Sequence, residues 1–111
     1  NRRLKIFKKS NLKDLKEVEV GAFKFIPIMT PGHSSDSVTF YFKEENVMFV
    51  GDFIFRDTVG RCDLPTGSSE EMDNSIKKIK EYDDSIALYP GHGDETTLGR
   101  EKQYNLYFME K

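Results

Sequence analysis

Apolar and polar positions along the first half of the chain predict a series of short strands. A hairpin of β-prone residues is expected over Val18–Val20 and Phe23–Met29. Pro27 has no backbone N–H to donate, so its strand should lie at a sheet edge or bend there. Val38–Phe42 shows no clean alternation, which predicts a strand covered on both faces, and residues 47–50 form the returning strand. The hairpin-like order favours antiparallel pairing.

The second half of the chain predicts a long loop followed by helix, strand and helix. Residues 56–69 are expected to form a loop too long for a plain connector. Ser68 and Glu71 form a capping box that opens a helix. Its buried face is predicted from apolar residues at helical spacing, namely Met72, Ile76, Ile79 and Tyr82. A short strand over residues 86–89 and a helix over Leu98–Tyr104, capped by Thr97, complete the pattern.

Composition and charge limit the classes of partner. The 111 residues suffice for one small domain, 1–111, with residues 1–17 as a basic flank of uncertain structure. With 17 basic and 19 acidic residues the net charge is −2, which favours neither nucleic acid nor a membrane surface as partner. No apolar stretch reaches the ~20 residues that span a bilayer. A single cysteine, Cys62, fits a reducing compartment and predicts a cytoplasmic protein, and the start at Asn1 suggests a trimmed or processed product.

Three metal-competent side chains stand beside glycines at the ends of predicted strands. His33 follows Gly32, Asp52 follows Gly51, and His92 lies within a Pro-Gly-His-Gly turn. Imidazole nitrogens and carboxylate oxygens are ligands for zinc, iron and manganese. Asp52 comes directly after a predicted buried strand and needs a strong partner, for which we favour a metal over an arginine or a helix N-terminus. A single histidine at a strand end is more often structural, but the joint pattern predicts a metal site.

Four motifs in this order carry a family resemblance: TPGHSSDSV (30–38), GDFIF (51–55), GRCDLP (60–65) and YPGHG (89–93). They resemble the second half of the metallo-β-lactamase superfamily over about residues 18 to 110, closest to its glyoxalase II-like thioesterases. The resemblance implies an α+β fold, half of an αββα sandwich, with a mostly antiparallel sheet and helices on one face. The second sheet of the sandwich is not supplied by these residues.

The resemblance also implies a site for two divalent metal ions, with zinc expected and iron or manganese as alternatives. His33 resembles the site-one histidine, Asp52 the carboxylate that bridges both ions, and His92 the site-two histidine. The family's His-x-His-x-Asp-His motif is absent. A catalytic zinc normally has three protein ligands and water. Because three ligands shared by two ions give too few for each, we predict that this chain alone binds metal weakly or not at all.

The activity implied is hydrolysis of a small-molecule thioester such as S-lactoylglutathione, by metal-activated water, with Asp52 holding the metals. Arg61 lies where glutathione-using relatives keep a basic residue and is the candidate for binding the substrate carboxylate, although Asp63 replaces a tyrosine of those relatives. A persulfide dioxygenase with one iron is an alternative that the Gly-His-Gly at 91–93 argues against.

A third hypothesis is a non-catalytic half-module that pairs its exposed sheet with another chain or forms a homo-oligomer. Cys62 is a fourth, disfavoured candidate, as a nucleophile, because both histidines of the chain are assigned to the metal site.

Overall fold

The computed structural model describes residues 12–109, so the predicted basic flank up to residue 11 lies outside the described residues. The strands are β1 (Val18–Val20), β2 (Phe23–Met29), β3 (Val38–Phe42), β4 (Val47–Gly51), β5 (Ile54–Phe55), β6 (Thr58–Val59), β7 (Ala87–Pro90) and β8 (Thr96–Thr97). The helices are α1 (Ser69–Ile79), α2 (Leu98–Tyr104) and α3 (Leu106–Met109). The predicted strands and the two longer helices are therefore present.

The main sheet has six strands in the order β1-β2-β3-β4-β7-β8, and β5 pairs with β6 in a separate hairpin. All neighbours in the main sheet are antiparallel except β4 and β7, which are parallel. A parallel pair needs a crossover connection, and the hairpin β5–β6 together with α1 supplies it. The expected α+β architecture, a mostly antiparallel sheet with helices, is confirmed.

One face of the sheet forms the core with the helices. Strand residues at alternate positions of the sheet point to this face, and the apolar ones that are at most 2% exposed are Ile28, Met48, Val50 and Leu88. They form one cluster with Met72, Ile76 and Ile79 of α1, Leu98 of α2 and Phe108 of α3. The helical spacing of the apolar residues therefore predicted the buried face of α1 correctly, with Tyr82 packed at its margin.

The opposite face of the sheet carries aromatic rings in contact across four strands. Ring centroids lie 5.5 Å apart for Phe25 with Phe40, Phe25 with Phe42 and Phe42 with Phe49, and 5.4 Å apart for Phe49 with Tyr89. We call these five residues the aromatic face. Phe49 is 46% exposed and the other four are half-buried. β3 was expected to be covered on both faces, and its five residues are all buried or half-buried, with Phe40 and Phe42 in contact with neighbouring rings of the aromatic face.

The predicted helix starts are confirmed in atomic detail. Ser68 is the N-cap of α1, and its Oγ accepts a hydrogen bond from the Glu71 backbone N–H at 3.1 Å. Thr97 caps α2 in the same way, with Oγ1 accepting from the Arg100 N–H at 3.2 Å. In the described part of the chain, no helix is long and apolar enough to cross a membrane.

Two local expectations need correction. Residues 56–69 are not all loop, because Thr58–Val59 pairs with Ile54–Phe55 through a tight turn in which Asp57 adopts a left-handed φ of 72°. The short helix Leu106–Met109 was not predicted.

Pro27 lies inside β2, where β1 has already ended, and its carbonyl accepts from the Leu15 N–H at 2.7 Å. The strand is therefore locally an edge at Pro27, as expected from its missing donor.

Candidate metal centre

The three predicted metal ligands converge on one carboxylate. His33 Nε2 lies 3.5 Å from Asp52 Oδ2, and His92 Nδ1 lies 3.6 Å from Asp52 Oδ1. Each histidine therefore faces a different oxygen of Asp52. Asp52 is more exposed than its position after a buried strand suggested, with 47% of its side chain accessible.

Strand direction explains why these residues meet. β2 and β4 are both antiparallel to β3, and β7 is parallel to β4, so β2, β4 and β7 run in the same direction. Their carboxyl ends consequently lie at one edge of the sheet, where His33, Asp52 and His92 follow them. The Gly91 N–H donates to the Gly51 carbonyl at 2.9 Å and ties the last two strand ends together.

Helix α1 holds the segment that presents His33. The Ser68 N–H donates to the Gly32 carbonyl at 2.8 Å, and Ser75 Oγ donates to the Pro31 carbonyl at 2.7 Å. Lys78 Nζ donates to the Met29 carbonyl at 2.6 Å. These contacts fix the backbone from the end of β2 to the residue before His33, whose side chain is only 19% exposed.

The His33 ring is oriented by the backbone of Arg61. His33 Nδ1 lies 2.9 Å from the Arg61 carbonyl oxygen. A carbonyl oxygen only accepts, so Nδ1 carries the proton and donates. In the neutral ring, Nε2 then presents its lone pair toward Asp52. This is the arrangement that ligating histidines commonly have, in which the second nitrogen donates to a carbonyl or carboxylate.

Gly60 allows the backbone of residues 60–61 to approach the site this closely. A Cβ at Gly60 would lie 1.8 Å from the Asp52 carbonyl oxygen and 3.1 Å from His33 Nδ1. Both distances are shorter than ordinary van der Waals contact, so a side chain at position 60 is excluded unless Asp52 or His33 moves. From the sequence alone, Gly60 had no role beyond its place in the GRCDLP motif.

His92 is held less tightly than His33. Its side chain is 77% exposed, and its ring centroid lies 4.7 Å from that of Phe55 in the hairpin β5–β6. An open cleft of about 540 Å³ lies beside it, lined by hairpin residues 55–58 and loop residues 92–94. The Phe55 ring and the Asp52 carboxylate therefore define the position of His92.

The donor set matches two incomplete metal sites that share a carboxylate. Within residues 12–109, no group of three His, Cys, Asp or Glu side chains is arranged to hold one ion. Each half instead offers one imidazole nitrogen and one Asp52 oxygen. In the tautomer with the proton on Nδ1 alone, His33 Nε2 and Asp52 Oδ2 face each other with lone pairs, an arrangement that suits a cation between them. The three residues thus provide part of the ligand set that a metal pair needs.

The guanidinium of Arg61 already has a hydrogen-bonding partner within the chain. Arg61 Nε donates to Asp63 Oδ1 at 2.7 Å, and Nη2 donates to Oδ2 at 3.0 Å. This hydrogen-bonded pair raises the pKa of Arg61 and lowers that of Asp63. Arg61 therefore contacts His33 through its backbone carbonyl, while its guanidinium is hydrogen-bonded to the carboxylate of Asp63.

Cys62 does not have the surroundings of a nucleophile. Burial, with the nearby carboxylates of Asp73 and Asp63, raises the pKa of the thiol above its ordinary value. Its Sγ donates to the Gly60 carbonyl at 3.6 Å. A reactive cysteine needs the opposite shift, produced by a neighbouring positive charge or a helix N-terminus.

Two further residues that shape the site were not assigned a role from the sequence. Phe55 contacts His92, and Glu101 of α2 is fully buried against the hairpin β5–β6. Phe55 left no distinguishing signal among the aromatic residues. Glu101 lies one turn after the buried Leu98 on α2, so a charged residue at helical spacing from an apolar one was the available signal.

Comparison with known proteins gives a family for this chain. The family model described as the metallo-beta-lactamase superfamily matches residues 4–92. A probable metallo-hydrolase of Streptococcus pyogenes is 37% identical over 91 residues, which are 81% of this chain and 39% of the relative. The hydroxyacylglutathione hydrolase GloC of Haemophilus influenzae is 35% identical over 95 residues, which are 85% of this chain and 45% of the relative.

Solved structures agree with the sequence relatives. The crystal structure of TTHA1623 in a di-iron-bound form matches with a TM-score of 0.78 and 34% identity, covering 86% of this chain and 46% of that one. The chain spans less than half the length of the curated relatives above.

Proposed function

Because the chain belongs to the metallo-β-lactamase superfamily, we propose that it contributes the C-terminal ligands of a metal-dependent thioester hydrolase. The observation that carries this proposal is the position of Asp52, whose two carboxylate oxygens each face a different histidine at 3.5 and 3.6 Å. A carboxylate shared between two ligand pairs suits a bridge between two ions.

In this proposal each residue has a distinct task. His33 and His92 would each hold one of two divalent ions, and Asp52 would hold both. A bound metal pair would supply Lewis-acid activation of water and of the acyl carbonyl. The Arg61 carbonyl keeps the proton of His33 on Nδ1 and so leaves Nε2 available as a ligand. Zinc is our first choice of metal, and the di-iron form of one structural relative keeps iron as an alternative.

A small acyl thioester such as S-lactoylglutathione is the substrate class we propose. Support comes from the similarity to a relative named hydroxyacylglutathione hydrolase. We keep Arg61 as the candidate for the substrate carboxylate, since a guanidinium fork binds a carboxylate through two parallel hydrogen bonds. Asp63 already occupies that fork, so a substrate carboxylate must displace it.

The decisive experiment uses the protein as its native cell makes it. The intact mass and bound metal are measured first, and hydrolysis of S-lactoylglutathione is then compared between wild type and Asp52→Asn. We expect Asp52→Asn to lower kcat/KM by roughly 100-fold or more, because loss of even a ligand's supporting partner costs 10–100-fold. Asp84→Asn is the matched control, since Asp84 pairs with Lys102 rather than with either histidine. A protein that holds metal but hydrolyses no thioester would refute the substrate class.

The aromatic face supports a second candidate function, assembly through the sheet. Phe49 is 46% exposed. Phe23, which lies on the same side of β2 as Phe25 of the aromatic face, is 57% exposed. An apolar surface of this kind is typical of an interface. Under this proposal the face packs against the same face of a second copy, and the chain acts as a non-catalytic module.

Sedimentation velocity over a range of concentrations tests the second candidate. A mass that doubles with concentration in wild type and stays monomeric in Phe49→Lys would support assembly through this face. Leu106→Lys provides the control, since Leu106 is 69% exposed but lies on α3, away from the sheet. A concentration-independent monomer in wild type would exclude assembly through the sheet.

A further inference from the structure

A buried carboxylate behind the site has no role in the chemistry above. The side chain of Glu101 is 0% exposed and belongs to α2, whose residues Arg100 and Glu101 are hydrogen-bonded to Asp57 in the hairpin β5–β6. Burial of a charged group is costly unless its hydrogen bonds are satisfied. Such a residue in a chain of 111 residues needs a structural or functional reason.

Four donors satisfy both oxygens of Glu101. Oε1 accepts from the Asp57 backbone N–H at 2.8 Å and from Asn105 Nδ2 at 2.9 Å. Oε2 accepts from Thr96 Oγ1 at 2.7 Å and from Arg100 Nη1 at 3.1 Å. Every partner donates, which matches a carboxylate because a carboxylate only accepts.

These contacts fix the turn of the hairpin β5–β6. Asp57 lies at the turn with a left-handed φ of 72°, and its N–H is the donor to Glu101. The Arg100 guanidinium donates to Asp57 Oδ1 at 2.7 Å, and Asn105 Nδ2 also donates to the Thr58 carbonyl at 3.1 Å. Helix α2 and the residue after it therefore hold Asp57 of the turn and Thr58 at the start of β6.

The hairpin in turn supports His92. Phe55 precedes the turn, pairs with Thr58, and places its ring centroid 4.7 Å from the His92 imidazole. His92 is 77% exposed, so few other contacts restrain its ring. The chain of contacts thus runs from Glu101 through Asp57 and Phe55 to the exposed histidine, while His33 is held separately by the Arg61 carbonyl.

We propose that Glu101 is a positioning residue for His92: it anchors the hairpin turn so that Phe55 holds the imidazole beside Asp52. The proposal rests on the proposed function only for the ligand role of His92. The positional claim itself concerns the ring of His92 and is measured without metal or substrate.

The chain has two histidines, which makes the test direct. Histidine ring signals are recorded by NMR for the metal-free protein as wild type and as Glu101→Gln. Glutamine keeps the shape of the side chain, but its amide N–H₂ would face groups that themselves donate to Glu101. We expect the His92 ring signals to shift or broaden in Glu101→Gln while those of His33 stay in place.

Two further variants keep the test decisive. Asp84→Asn removes a carboxylate contact to α2 at Lys102, away from the hairpin, and should leave both histidines unchanged. Phe55→Leu removes the ring contact directly and should move His92 even if Glu101→Gln fails to fold. Unchanged His92 signals in a folded Glu101→Gln or in Phe55→Leu would overturn the proposal, as would equal changes at both histidines, which indicate a general structural role.

Discussion

The ring of His33 is hydrogen-bonded to the backbone of Arg61, with His33 Nδ1 donating to the Arg61 carbonyl oxygen at 2.9 Å. The sequence predicted a metal ligand and a substrate-binding side chain at these two positions. The structure joins them instead through the main chain of Arg61, and the loop that contains Arg61 thereby determines which nitrogen of His33 faces Asp52. The first predictions concern that loop and the ligands beside it.

Metal affinity of the isolated chain is expected to be low. Each half of the centre provides one imidazole and one shared carboxylate, whereas a catalytic zinc normally has three protein ligands. We expect Zn²⁺ to bind with a Kd above about 1 μM, equivalent to about −8 kcal/mol, in calorimetric titration. Asp52→Asn should abolish the remaining binding, and His33→Gln or His92→Gln should weaken one half each. Stoichiometric, tightly held zinc in the chain alone would contradict this prediction.

Gly60→Ala should disturb the centre itself. The added Cβ would meet the Asp52 carbonyl oxygen at 1.8 Å and His33 Nδ1 at 3.1 Å, so both residues must shift. We expect a loss of about 1–3 kcal/mol in the free energy of unfolding, the usual cost of overpacking, together with shifted His33 ring signals in NMR. The control is Gly21→Ala, where no atom lies within 4 Å but φ is +60°. It should cost about 1 kcal/mol of backbone strain and leave His33 unchanged. Equal His33 spectra in both variants would refute the steric argument.

Removing the charge of Asp63 should free the guanidinium of Arg61. The pair is exposed, and exposed ion pairs contribute little, so we expect Asp63→Asn to tighten binding of a carboxylate ligand by only about 2- to 5-fold. The measurement is a titration with S-lactoylglutathione, in which binding is followed by the NMR signal of the Arg61 side chain. In Arg61→Gln/Asp63→Asn the gain should vanish. An unchanged affinity in the single variant would mean that Arg61 does not bind the substrate.

The ion pair between Asp57 and Arg100 should make the hairpin acid-sensitive. The hydrogen bond from Arg100 lowers the pKa of Asp57 below its ordinary value of 3.8. A carboxyl group with a lowered pKa in the folded state stabilises that state above its unfolded pKa, and the contribution is lost as the pH falls through the folded value. Tm of wild type should therefore exceed that of Asp57→Asn at neutral pH, and the difference should disappear well below pH 3.8. A difference that persists in acid would assign the effect to packing.

Cys62 should react slowly with thiol reagents while the protein is folded. Burial raises the pKa of its thiol above the ordinary value of 9.0, so little thiolate is present at neutral pH. A colorimetric thiol assay should show slow labelling at pH 7 that accelerates on unfolding in urea. Cys62→Ala should also leave thioester hydrolysis unchanged. Rapid labelling of the folded protein, or loss of activity in Cys62→Ala, would revive a cysteine mechanism.

Local patterns predicted much of the fold because they record local physics. The Ser68 and Thr97 caps reflect hydrogen bonds made within four residues, and the buried face of α1 follows from the helical repeat. Pattern reasoning failed where distant contacts decide. The N–H of Asp57 at the hairpin turn donates to Glu101, a residue 44 positions further along the chain.

The sequence by itself indicated the candidate ligands His33, Asp52 and His92, the strands that end beside them, and the family that the four motifs resemble. Only the tertiary structure decided how they meet. The shared direction of β2, β4 and β7 brings the three side chains to one sheet edge, where each Asp52 oxygen faces its own histidine. It also decided that the Arg61 guanidinium bonds Asp63 while its carbonyl orients His33. The physical reason is that strand order and side-chain pairing across the fold depend on contacts between residues far apart in the chain, which hydrophobic periodicity does not encode.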